Sequence, residues 1–138
     1  MIIGDEIDYV ELKRLPETDE GGPGDFRINV HVKLRDFQGW YDQVWIRKHE
    51  MDAFVEGLDR FGETRFCNVK LHGSNPGEFI LRFYTLNEDG HVGVDVHLAR
   101  IHAAPSENFN INLTGGFQLD TEKLPSLRAA FDELYHPA

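Results

Sequence analysis

The chain has 138 residues, of which 41% are hydrophobic and 12% aromatic, enough for one domain with a continuous core. With 24 acidic and 14 basic side chains its net charge is −10, so a phosphate backbone is repelled and nucleic acid is not expected as a direct partner. No apolar run reaches the roughly 20 residues that span a bilayer, and the single cysteine, Cys67, excludes an internal disulfide framework.

In chain order, the N-terminal MIIGDEIDYVELKR places acids where a secretory leader carries bases. Together with the lone thiol this predicts a cytoplasmic protein. Ile7 to Leu12 reads as a short strand, and Pro16 to Gly24 as an exposed loop rich in turn formers. Residues 1–25 hold eight acids against Lys13 and Arg14, whereas residues 26–50 hold five bases against three acids. The first segment is therefore read as an acidic strand and loop, and residues 26–135 as the core of the same single domain.

FRINVHVKLR, residues 26–35, alternates without a break: Phe26, Ile28, Val30, Val32 and Leu34 share one face. This predicts a strand with one buried face. Phe37-Gln38-Gly39 is expected to turn into a second strand over Trp40–Ile46. The period then changes. Met51, Phe54, Val55, Leu58 and Phe61 recur at helical steps within His49–Phe61, and Gly62 is the expected stop. Phe66–Leu71 reads as a strand. Glu78–Arg100 follows, with two alternating runs (Phe79–Leu86 and His91–Ile101) around an Asn-Glu-Asp-Gly turn, the pattern of a β-hairpin.

Asn108–Leu113 alternates again, and Gly115-Gly116 is expected to end or bulge that strand. Leu124, Leu127, Phe131 and Leu134 mark a final helix that starts at or just before Leu124, because Pro125 fits only a first turn. Short connections between successive strands require antiparallel neighbours. The fold class is therefore α+β: a mainly antiparallel sheet of about six strands with two amphipathic helices packed on it. The same elements could close into a half-barrel.

Residues that carry chemistry are sparse. His91, Asp95 and His97 share a strand parity and His31 sits on another polar face, but HVGVDVH lacks the spacing of a zinc motif. They read as solvent-facing side chains, and no metal or cofactor is expected. Cys67 alternates with Val69 and Leu71, so it reads as a small buried hydrophobe. Glu88-Asp89 reads as turn chemistry. Arg27, Lys33 and Arg35 form basic rungs without interleaved aromatics, and read as a solvated face paired with acids such as Asp95. No catalytic group emerges.

FRINVHVKL, the Trp40–Trp45 segment leading into MDAFVEGLDRF, the hairpin EFILRFYTLNEDGHVGVDVHLA and the ending FQLDTEKLPSLRAAFDELY resemble, in that order, the WapI-type family of bacterial immunity proteins. The likeness spans about residues 26–135 and rests on the Gly90-His-Val-Gly-Val-Asp-Val core and the Phe117-Gln-Leu-Asp-Thr-Glu-Lys-Leu-Pro entry to the last helix. It implies a small cytoplasmic protein that binds a cognate toxin domain of a contact-dependent polymorphic system, without catalysis. It brings no motif of contact residues. A basic toxin domain would suit the acid excess, which steers encounter. The contact candidates are then Asp5, Glu6, Asp8, Glu17, Asp19 and Glu20, with Glu88 and Asp89. Two other readings stay open: a ligand-binding module on Arg27, Asn29, His31, Arg82, Asp95 and His97, and a metal enzyme on His31, His91, Asp95 and His97. Oligomeric state is not specified.

Overall fold

The computed structural model describes residues 1–64 and 68–138. Four strands come first: β1 (Ile2–Gly4), β2 (Asp8–Arg14), β3 (Phe26–Leu34) and β4 (Phe37–Ile46). Helix α1 (Lys48–Thr64) follows, then β5 (Asn68–His72), β6 (Phe79–Thr85), β7 (Val92–Ala103) and β8 (Asn108–Leu119). A 3-10 turn at Thr121–Lys123 leads into helix α2 (Leu124–Tyr135). Every strand pairing is antiparallel and sequential, as the short connections require.

The expected single sheet of about six strands is corrected to two sheets of four, in the orders β1-β2-β3-β4 and β5-β6-β7-β8. The chain leaves the first sheet at Ile46, runs through α1, and begins a new ladder. Alternation reports which face of a strand is buried; it carries no information on whether strands before and after a helix pair with each other.

One core serves both sheets and both helices. Phe54 of α1, Phe83 of β6 and Phe131 of α2 are fully buried, with ring centroids 4.9 Å apart for Phe54–Phe131 and 6.0 Å for Phe54–Phe83. Leu12, Ile28 and Ile46 enter from the first sheet. Each such side chain contributes about 1.5–3 kcal/mol of burial. Arg128 of α2 ties the helices together by donating to Asp59 of α1 at 2.7 Å and to Asp132 at 2.6 Å. Arg14 of β2 donates to the carbonyls of Leu134 and Tyr135 at 2.9 Å, which fastens the end of α2 to the first sheet. No described helix is long and apolar enough to cross a membrane.

Several element ends differ from expectation. Helix α1 passes Gly62, because one glycine costs only about 1 kcal/mol in a helix and buried Phe61 holds the last turns. It begins one residue early because Asp25, from the preceding loop, accepts the Lys48 amide at 2.8 Å and the Gly22 amide at 3.0 Å. The turn expected at Phe37-Gln38-Gly39 lies instead at Arg35-Asp36, since Leu34 pairs with Phe37. Arg35 is held at φ 59° there while Asp8 accepts its amide at 2.9 Å.

Gly115-Gly116 neither ends nor bulges β8, whose register with β7 is unbroken. A Cβ on Gly115 would lie 2.6 Å from Leu34, and one on Gly116 would lie 2.4 Å from the Asp95 carboxylate. These glycines make room on the two faces of the strand. The Asn87–Gly90 turn forms as read: Gly90 adopts φ 79° and its amide donates to the Asn87 carbonyl at 3.1 Å. The readings on Phe66 and Cys67 lie outside the described residues.

Candidate partner-binding surface

The polar side chains named from sequence fall on two different sheets. Arg82, Asp95 and His97 lie on the outward face of the second sheet, where Arg82 donates to Asp95 at 2.8 Å and Tyr84 donates to it at 3.3 Å. The Arg82 guanidinium also covers the Tyr84 ring at 3.9 Å, and His97 shares a 2.6 Å hydrogen bond with Thr114. These groups satisfy one another over an open, shallow trough beside Gly116.

Arg27, Asn29 and His31 lie on the first sheet, as β3 residues. The six side chains of the ligand-module reading therefore do not converge, and His31 is not placed with His91, Asp95 and His97. Among the described residues, no three His, Cys, Asp or Glu groups are arranged to hold a metal ion.

The outward face of the first sheet corrects two expectations. Aromatics do interleave the basic rungs, across strands rather than along one: Trp45 pairs with Arg27 in register, and Trp40 stacks on His31 with centroids 4.5 Å apart. Tyr9 meets the other side of that imidazole edge-on at 5.3 Å. The rungs are also not paired with Asp95. Arg27 donates to the Pro16 carbonyl, Lys33 to the Ile7 carbonyl, and Arg35 forms an ion pair with Asp8 at 3.4 Å.

The acids proposed as contacts occupy separate places. Asp5, Glu6 and Asp8 surround the β1–β2 turn. Asp5 accepts the amides of Asp8 at 3.0 Å and Ile7 at 2.8 Å, and those hydrogen bonds, the Asp8 one first, hold its carboxyl below the ordinary aspartate value. Glu17, Asp19 and Glu20 lie in the β2–β3 loop, which joins the opposite ends of those strands, with Glu17 3.5 Å from Arg14. Glu88 and Asp89 form the exposed β6–β7 turn. No single patch contains all eight.

A more continuous surface runs along β8. The inward face of the β7–β8 hairpin continues past the core: Leu98 pairs with Leu113, then Arg100 with Ile111 and His102 with Phe109. Beyond Leu98 the cover thins to Tyr41 and the start of β4, and Ile111 is 58% and Phe109 50% exposed. Phe37, at the start of β4, is 70% exposed and shares a hollow with Ile111 and Leu113. Arg100 anchors this overhang by lying 4.4 Å above the Tyr41 ring. Burial, and next the neighbouring Glu78, push the Tyr41 hydroxyl above its ordinary value.

The hollow adjoins an open groove of about 840 Å³ that follows residues 112–120. Its far wall comes from the β1–β2 and β3–β4 turns, through Asp5, Asp8, Leu34, Arg35 and Phe37. Asp120 and Lys123 close one end; Asp120 accepts the Glu122 amide at 3.0 Å. Of the acids named from sequence, only Asp5 and Asp8 line this groove, and exposed Glu6 sits between them in the chain. Phe37, Phe109 and Ile111 were missed because an alternating strand reads alike whether or not its apolar face is covered.

No family model matches the chain, and no curated protein or solved structure matches it either.

Proposed function

We propose that the protein is a noncatalytic binding protein whose partner is a basic protein domain, and that it acts as a bacterial immunity protein of the WapI type, neutralising a cognate toxin domain in the cytoplasm. The observation that carries the reading is the uncovered apolar surface of Phe37, Phe109 and Ile111 beside acidic turns, on a chain of net charge −10. Apolar side chains that the fold leaves in water, beside turns where acids outnumber bases, suit a protein partner of opposite charge. The likeness to the immunity family supplies the partner's class. Blocking a toxin requires tight and fast binding, and the acid excess serves the second requirement.

The test mixes the protein with the C-terminal domain of a toxin encoded beside its gene. A complex is expected, with an association rate that falls at least ten-fold from low to physiological salt. A rate indifferent to salt removes the electrostatic part of the proposal, and failure to form a complex removes the immunity function.

A further inference from the structure

The four sheet edges are not equally protected. Strand β1 is only three residues long, β4 is interrupted by a bulge opposite Asn29, and β5 is five residues long with Lys70 at its middle. Edge strands of folded proteins are commonly blunted in these ways, by shortness, bulges, charge or proline. Strand β8 has none of them. It is a twelve-residue edge strand, NFNINLTGGFQL, without a charged residue or proline, and it pairs with β7 in unbroken register. Among the described residues, no backbone group outside that hairpin hydrogen-bonds to β8, so its second edge carries free amides and carbonyls. The groove follows residues 112–120 along that edge and leaves it open beside Leu34, which packs over the face of Gly115.

The surroundings of the groove select an occupant. Asp5, Asp8 and Asp120 line it against Arg35 and Lys123, and exposed Glu6, Asp36 and Glu122 adjoin those residues in the chain. Acids thus outnumber bases around a neutral strand edge. A second copy of this chain would bring the same acids to the same rim, and like charges in juxtaposition oppose its entry. A basic segment meets Arg35, Lys123 and Lys33 at that rim, but the acids outnumber them, so the net interaction is attractive.

We infer that the partner docks by strand addition: an extended segment alternating apolar and Lys or Arg residues pairs with the free edge of β8 and extends the second sheet to five strands. Main-chain hydrogen bonds supply the register, and an added strand lies about 4.8 Å from β8, on the groove side. Its apolar side chains meet Phe37, Leu113 and Phe117, while its basic side chains face the acidic rim. The partner's basic character rests on the function proposed above; the docking mode rests on β8.

Hydrogen exchange on the intact protein tests this with two probes, an alternating Lys/Val nonapeptide and its Glu/Val counterpart. The Lys/Val peptide is expected to slow exchange at least ten-fold at amides within residues 112–119, and the Glu/Val peptide to leave them unchanged. Equal protection by both, or by neither, overturns the inference, as does a free protein already dimeric with those amides protected. A Phe37→Ser variant, altered at an exposed position, should weaken the Lys/Val peptide several-fold while the exchange of core amides stays as it was. The toxin domain separates the two proposals. A complex without protection of β8 overturns strand addition and leaves the immunity function standing. Docking of the peptide with no toxin complex does the reverse.

Discussion

The two halves of the β7–β8 hairpin share one ladder and one alternation, yet they live in different environments. In the near half, Val92, Val94, Val96 and Leu98 are buried against the helices and the first sheet. In the far half, Ile101, Phe109 and Ile111 stand in water, Ile101 on one face and the other two on the face that is buried nearer the core. The difference shows that a strand pattern sets the side to which apolar groups point, while the neighbouring elements set whether that side is dry. Stability should reside in the buried face of the near half, and recognition in the free outer edge of β8 together with the uncovered apolar side chains of the far half.

That division can be broken by experiment. The largest effect is expected from Leu98→Ala, which removes a buried side chain at the last covered rung. It should cost about 2–5 kcal/mol in denaturant unfolding. A loss under about 1 kcal/mol would mean that the core ends earlier than the burial of Leu98 indicates.

Acid should act on the helical side of the molecule and spare the far half. Asp25 is held below the ordinary aspartate value by the Lys48 and Gly22 amides, Asp52 by Lys48 and Tyr135, and Asp59 by Arg128. A carboxyl whose value is lowered by folding contributes stability that is present above its unfolded value, near pH 4. That contribution is lost as pH falls through the lower folded values. Unfolding followed through helix circular dichroism should therefore turn acid-sensitive below about pH 4. Asp25→Asn should remove part of that response. A stability profile flat down to pH 2 would show that these contacts contribute nothing. At the other end of the range the buried Tyr135 hydroxyl, which donates to Asp52 at 2.6 Å, is pushed up to about 12.

The smallest effect on folding is expected from Ile111→Ala, two rungs past Leu98 on the facing strand. Its cost should stay within about 0.5 kcal/mol, as for other exposed positions. The same substitution should weaken partner binding by an order of magnitude. A large loss of stability with unchanged binding would reverse the assignment of the two halves.

Much of the fold was legible because local periodicity is a local property. The alternation of Phe26 to Leu34 gave the buried face of β3 residue by residue, and the stripe Met51, Phe54, Val55, Leu58 and Phe61 gave that of α1, with Val55 only partly buried at its border. Pro125 located the start of α2 through its missing amide. Turns held by distant groups were not legible. The Arg35-Asp36 turn depends on a carboxylate of β2, and the start of α1 depends on Asp25 from the loop before β3. The candidate surface divides in the same way. The acid excess and the uncharged run Asn108–Leu119 are plain in the chain, but acids close in sequence went to opposite ends of the first sheet.

By itself the amino-acid sequence determined the class of the fold, the antiparallel sense of its strands, the buried faces of both helices and the acidic charge. Each follows from neighbours within a few residues, or from a sum over the chain. Only the tertiary structure decided that there are two sheets, that β8 ends one of them with its outer edge free, and that Phe37 and Ile111 meet beside a groove rimmed by Asp5 and Asp8. Those outcomes turn on which elements come to lie side by side, and contacts between residues far apart in the chain leave no periodic trace in it.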